Sequence, residues 1–379
     1  MTSPMTTPMT TPKNDGFFMP AEFSAHQGTV MIWPVRAGSW PDGGVAGQRA
    51  FLNVATAIAQ GETVYLLANP EDAPTVEAQI AALPATPHPI ELLPIQSNDA
   101  WARDTAPTFV VNGDGALRGI DWQFNAWGGD FDGLYLDYDQ DDLLASRFAN
   151  HLGIPCYDAH PFVLEGGAIH SDGEGTVMVT ASCLLSQGRN PSMEKLEITA
   201  QLQEYLGAEK ILWLPRGIFN DETTEHVDNI CAFVAPATVV LAWTDDESDP
   251  QYPLSKACYD YLATQTDSTN RPLTIHKLPV PKQPIALTEA EIAQFTFAEG
   301  ELPLVAGERL PASYVNFYIT NTSVLVPQFG DVNDAVACQM LEPLFPLHKI
   351  VPIAARDILV GGGNIHCITQ QIPKGGVGL

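Results

Sequence analysis

The sequence predicts an α/β fold made of repeated units within one domain, and three observations predict it. Strand-like segments alternate with segments of helical periodicity from Phe17 onward. No long linker or block of charge divides the 379 residues into halves. One short pattern occurs twice: Gly166-Gly167-Ala168-Ile169-His170 and Gly362-Gly363-Asn364-Ile365-His366 both read G-G-x-I-H. Such an echo points to repeated supersecondary units whose turns meet in one place, as in a propeller.

Taken in order, the apolar run over 29–33 predicts a buried strand ended by Pro34. Helical spacing of apolar residues predicts a helix over 46–59, and 63–68 is again a strand. A strand around 116–124 leads to a helix over 140–152. A helix over 192–206 precedes a strand at 210–214, and further helices fit 254–263 and 334–344. Each G-G-x-I-H turn follows an apolar stretch that reads as a strand. The ends are different. From Thr2 the chain runs TSPM-TTPM-TTPK, a Pro/Thr repeat without a core of its own. The expected organisation is a flexible tail over 1–14, one folded domain over 15–373 and a short C-terminal tail over 374–379.

Composition bounds the function. With 45 acidic and 18 basic residues the net charge is −27, which disfavours a phosphate backbone as partner and favours a small cation. No stretch approaches the length and apolarity of a membrane span, and the N-terminus lacks the apolar core of a signal peptide. Six cysteines occur without a CxxC pair, mostly in apolar runs such as Ile230-Cys231-Ala232-Phe233. That is the pattern of reduced, buried thiols, so a cytoplasmic location is expected.

Four segments carry candidate chemistry. Gly361-Gly362-Gly363-Asn364-Ile365-His366-Cys367 places Cys367 after a turn that permits close approach of a ligand, and a thiolate there would be a nucleophile. His226-Val227-Asp228, read as a strand, sends imidazole and carboxylate to one face as a general acid/base pair. The same pair reads alternatively as two-thirds of a facial iron triad, with His170 or His366 as third ligand. Asp104, in Trp101-Ala102-Arg103-Asp104, and Glu165, in Leu164-Glu165-Gly166-Gly167, are carboxylates among apolar or glycine neighbours that call for a cationic partner. Trp101 offers a face on which a planar cation can stack. Singly, each has an ordinary structural reading as a buried thiol, a strand end or an internal ion pair. Together they suit a guanidinium, which is planar, permanently charged and attacked only by a strong nucleophile held close.

At this point the chain resembles the agmatine deiminases, within the guanidine-modifying superfamily that includes arginine and protein-arginine deiminases. The likeness runs from Asp15-Gly16-Phe17-Phe18-Met19-Pro20-Ala21-Glu22-Phe23 to Cys367-Ile368-Thr369-Gln370-Gln371. Between them lie Met31-Ile32-Trp33-Pro34, Asn98 to Asp104, Phe124-Asn125-Ala126-Trp127-Gly128-Gly129 and His226-Val227-Asp228-Asn229. The resemblance implies a five-bladed α/β propeller around a central site, hydrolysis of agmatine to N-carbamoylputrescine and ammonia, and a place in polyamine metabolism on the way to putrescine. It further implies Cys367 as nucleophile, His226 as general acid/base, Asp104 and Asp228 as the guanidinium grip and Glu165 as the remaining active-site acid. Trp101 would lie beside the substrate and Glu222 near its amine end. No metal or organic cofactor is implied, and members of the family often self-associate. Two positions depart from the family pattern, Ala106 and Glu225, where glycine is usual. Deimination of free or peptidyl arginine, an iron-dependent oxygenase and a non-catalytic polyamine-binding protein are the alternatives.

Overall fold

The computed structural model describes residues 10–301 and 303–375. It contains five small sheets of three or four strands, with helices packed between and outside them. Three of them show the construction most plainly. Tyr318–Ile319 pairs antiparallel with Ser323–Gln328, the chain crosses through the helix Asp334–Leu341, and Lys349–Ala354 returns parallel. Cys231–Ala235, Thr238–Trp243 and Thr274–Pro279 repeat it around the helix Gln251–Leu262. His170–Ser171, Thr176–Thr180 and Lys210–Leu214 do so around Lys195–Leu206. The middle strands are covered on both faces, which is why Val239-Val240-Leu241 and Val324-Leu325-Val326 are continuous apolar runs rather than alternating ones.

The remaining two sheets involve the chain ends. Phe17–Phe18 adds to Thr108–Asn112, Leu117–Gln123 and Cys156–Val163. Gln370–Pro373 pairs antiparallel with His26–Ile32, which continues into Thr63–Ala68 and Ile90–Pro94. Among the described residues the last strand is thus stitched to one of the first.

The expected elements are present, with instructive differences at their edges. The helix expected over 192–206 begins at Lys195, because Glu194 and Glu197 form a reciprocal capping box. The one expected over 140–152 is split into Asp139–Asp142 and Leu144–Leu152. There Asp141 accepts from the backbone of Asn98 and Asp99, and Asp142 from Phe124, so their side chains serve loops rather than the helix. The helix expected over 334–344 stops at Leu341, where Pro343 turns the next residues into a 3₁₀ turn. His226–Asp228 is not a strand. Thr224 and Glu225 both take a φ of +67°, redirecting the chain so that His226 caps a single helical turn, Val227–Ile230. The second G-G-x-I-H turn follows a helical turn, Arg356–Leu359, instead of a strand.

Of the tail expected over 1–14, residues 1–9 lie outside the described ones; at 10–14, Thr11 and Lys13 hydrogen-bond to Glu204. Of 374–379, residues 376–379 are likewise outside. Among the described residues no helix is long and apolar enough to cross a membrane. All six cysteines are free thiols.

Candidate active site

Short turns at the ends of the sheets carry the polar residues inward. Asp104 lies in the helical turn Ala102–Thr105, Glu165 just before the turn Gly166–Ala168, Asp228 in the turn Val227–Ile230, and Cys367 after Gly361-Gly362-Gly363. The two glycine echoes do meet here. A Cβ on Gly167 would fall within 2.5 Å of His226 Nδ1, and one on Gly363 would fall 2.5 Å from the Trp101 ring and 3.0 Å from Cys367 Cβ. Each glycine is therefore a packing requirement at the centre of the site.

A cavity of about 800 Å³ opens over this floor, lined by Trp101, Asp104, Trp127, Glu222, His226 and Cys367, with walls from 129–136, 300–301, 303–304 and 308–311. Asp228 and Glu165 form the layer behind, almost wholly buried. Trp101 is pinned by a hydrogen bond to Asp99 at 3.1 Å and stacks on Trp40 at 5.1 Å. Asp104 accepts from Trp127 Nε1 at 2.9 Å and from the Gly167 amide at 2.8 Å. Cys367 Sγ lies 3.3 Å from Asn316 Nδ2 and 3.7 Å from Asp228 Oδ2. The other oxygen of Asp228 is buried with no protein partner.

The charges are strongly coupled. Burial pushes the Asp104 carboxyl up to about 6, although the charge of His226, 4.0 Å away, pulls the other way. Burial also opposes the charge on His226, yet Asp104 and a bond to Glu165, 3.4 Å away, hold its imidazole well above the ordinary histidine range. Glu165 stays below the usual carboxylate range against burial, because Arg189 lies 2.7 Å from it. Asp228 is held low against burial by His366. Burial and the neighbouring carboxylates Asp228 and Asp104 push the Cys367 thiol well above its usual value. Glu222 is exposed to the cavity, whose water tempers the upward push from enclosure and from the charges of Asp221, Glu308 and Asp99. The two arginines lining the cavity are both paired, Arg36 with Glu301 and Arg309 with Asp249 at 2.7 Å.

All seven residues singled out from the sequence are thereby brought into one neighbourhood. The facial triad on His226 and Asp228 is not formed. Asp228 bonds to His366, while the groups that could hold a metal among the described residues are Glu22, His170 and His366, and Glu165, Cys183 and His226. Each has an arginine at its carboxylate, Arg103 at Glu22 and Arg189 at Glu165. Sequence reasoning missed Asn316, Arg189 and Cys183, which no local pattern marks, and gave no role to Glu22. Of the two departures, Ala106 has ordinary extended backbone. Glu225 holds the left-handed conformation that favours glycine, compensated by its ion pair to Arg216 and a bond from the Gly217 amide at 2.6 Å.

Residues 18–373 match the model of the Porphyromonas-type peptidyl-arginine deiminase family. A Selenomonas ruminantium protein provisionally named an agmatine deiminase is 56% identical over 95% of this chain and 97% of its own. The solved structure of an agmatine deiminase of Enterococcus faecalis superposes with a TM-score of 0.92 at 43% identity, covering 97% of this chain and 98% of that one. A C. jejuni agmatine deiminase variant with substrate bound superposes with a TM-score of 0.79 at 26% identity, over 95% of this chain and 97% of that one.

Proposed function

The chain belongs to the Porphyromonas-type peptidyl-arginine deiminase family, and from that premise we propose that it hydrolyses agmatine to N-carbamoylputrescine and ammonia. One observation carries the choice of substrate within the family. The cavity is acidic, and both arginines that line it already have carboxylate partners. A cationic amine is welcome there, whereas the α-carboxylate of arginine finds no free counter-charge.

In this reading Asp104 and Asp228 grip the guanidinium, with the unpartnered oxygen of Asp228 accepting one of its N–H groups. Trp101 covers the planar cation. The substrate's charge offsets the two carboxylates that hold the Cys367 thiol high, so binding itself favours the thiolate. Cys367 Sγ then bonds to the guanidinium carbon, and His226 gives a proton to the leaving nitrogen. Ammonia departs, leaving an S-alkylthiouronium on Cys367. His226, kept in place by Glu165, takes a proton from water, whose oxygen attacks the same carbon. The C–S bond breaks, releasing the ureido product and the thiolate. Glu222 faces the substrate's amine end. The five sheets fit the blades of a five-bladed α/β propeller around this site. The reduced cysteines fit the cytoplasm, and self-association is expected as in the family.

The test is ammonia release from agmatine and from L-arginine, side by side with EDTA present, in the wild type and in Cys367→Ser. Release from agmatine alone, abolished in Cys367→Ser, is expected. Release from arginine alone overturns the substrate, and full activity of Cys367→Ser overturns the covalent route.

A further inference from the structure

Behind the substrate face of Asp228 lies a second layer that the mechanism does not use. His366 Nδ1 is 2.8 Å from Asp228 Oδ2, and its Nε2 is 2.7 Å from Glu22 Oε2. Both partners are carboxylates, so satisfying both contacts requires a proton on each ring nitrogen and hence an imidazolium. Glu22 is itself fixed, its other oxygen accepting from the Ile319 amide at 2.8 Å. All three side chains are buried, within a few per cent of complete exclusion.

We propose that Glu22 and His366 are positioning residues that keep Asp228 charged and aimed at the guanidinium, through a buried Glu22–His366–Asp228 clamp. The inference rests on the reading of the site given above. The clamp occupies one oxygen of Asp228 and leaves the other, Oδ1, buried and unpartnered, so it is available to a substrate N–H. A buried carboxylate without a hydrogen-bonded imidazole behaves differently within the same site, even with His226 4.0 Å away. Asp104, equally enclosed and close to Asp228 and Glu165, is driven up to about 6, whereas Asp228 is held below the ordinary range by His366. Burial and the nearby Arg103 guanidinium oppose the charge on His366, and the two carboxylates outweigh them. Glu22 and Asp228 bond its two nitrogens, and the Arg103 guanidinium lies 3.6 Å from Glu22. His170 stacks on its ring at 6.1 Å but is driven to about 4, chiefly by burial, so it adds no competing cation. The Cys367 thiol shares Asp228 Oδ2 from 3.7 Å.

Glu22→Gln keeps the shape and a hydrogen-bonding end group but removes one of the two charges that hold the proton on His366. The ring then loses its proton at lower pH, and Asp228 loses its counter-charge with it. The expected result is a KM for agmatine that climbs about tenfold between about pH 6 and pH 8.5 in the variant but stays flat in the wild type, with kcat changed less than about threefold. A purely structural role would lower Tm and active fraction without reshaping the KM–pH curve, so parallel KM–pH curves overturn the clamp. Nitrogen-15 spectra of the unmodified protein give a second measurement that needs neither the variant nor turnover. They are expected to show both His366 nitrogens protonated at about pH 7.5, and a neutral ring there overturns the proposal. If the wild type releases no ammonia from agmatine, the proposed substrate fails while the spectra still decide the clamp.

Discussion

Gly167→Ala adds one methyl group at the point where three site residues converge. The backbone there is not left-handed, so the penalty is steric alone. The new carbon would stand 2.5 Å from His226 Nδ1, 2.9 Å from Asp104 Oδ1 and 3.2 Å from Asp228 Oδ2. Ordinary contacts of this kind begin at about 3.5 Å, so the imidazole must retreat by about 1 Å. His226 and Asp104 can yield only toward the cavity and Asp228 is wholly enclosed, so the constellation itself must shift. A displacement of about 1 Å in a reacting constellation costs about 10²-fold in rate. Overpacking of this kind also costs about 1–3 kcal/mol of stability. The assay is kcat/KM for ammonia release together with Tm by calorimetry. Gly113→Ala serves as control, since a Cβ there meets nothing within 4 Å. The expected outcome is a loss of about 10²-fold in Gly167→Ala against an unchanged control. Activity within about threefold of wild type at unchanged Tm would refute the steric account.

Two further outcomes concern charge. Asp104 and the equally buried Asp141, raised chiefly by burial to about 6 and about 7, protonate more readily folded than unfolded. Their contribution therefore declines as pH rises from about 4 to about 7, by up to about 3 kcal/mol for Asp104. His226 and His366, raised against burial, add stability that is full below about 6.5 and is lost as pH climbs through their folded values. Glu22, Asp228 and Glu165 are lowered and lose stability only as pH falls below about 4.5. Tm is expected to peak at about pH 4.5 and to fall toward pH 8; a steady rise from 5 to 8 contradicts these assignments. The second outcome is for Glu301→Gln, which frees Arg36 in the cavity wall. KM for agmatine should rise about three- to tenfold with kcat little changed, and an unchanged KM would show that Arg36 does not face the bound cation.

The sequence made the alternating architecture legible because its signals are local. The apolar run over 63–68 coincides with the strand Thr63–Ala68, and helical spacing over 46–59 with the helix Val45–Ile58. Helix edges were less legible, since they depend on partners far away, as where Asp141 serves Asn98 and Asp99. The grouping of the candidate site residues was legible. Cys367 and Glu165 border glycine runs, His226 and Asp228 share one short segment and Asp104 follows Trp101, and the structure gathers them around one cavity. What holds those groups was not. Arg189 reaches Glu165, Asn316 reaches Cys367 and Glu22 reaches His366 across 24, 51 and 344 positions respectively, as 189 − 165, 367 − 316 and 366 − 22 give. No window on the chain spans such distances. The turn at His226 was misread because two successive left-handed residues, Thr224 and Glu225, are neither glycine nor asparagine.

The stitching of Gln370–Pro373 onto His26–Ile32 has a bearing on how the molecule is made. Translation delivers His26–Ile32 long before its antiparallel neighbour, which begins three residues after Cys367. While the ribosome is still at work, the early sheet keeps an open edge, and the acidic pocket has no sulfur at its floor. A chain that stops short of Cys367 therefore cannot form the thiouronium adduct or be trapped by an electrophile at that site. Reactivity and closure therefore depend on one short stretch, Cys367 to Pro373. Truncation near the end should accordingly yield a chain that is both chemically silent and unzipped along one edge.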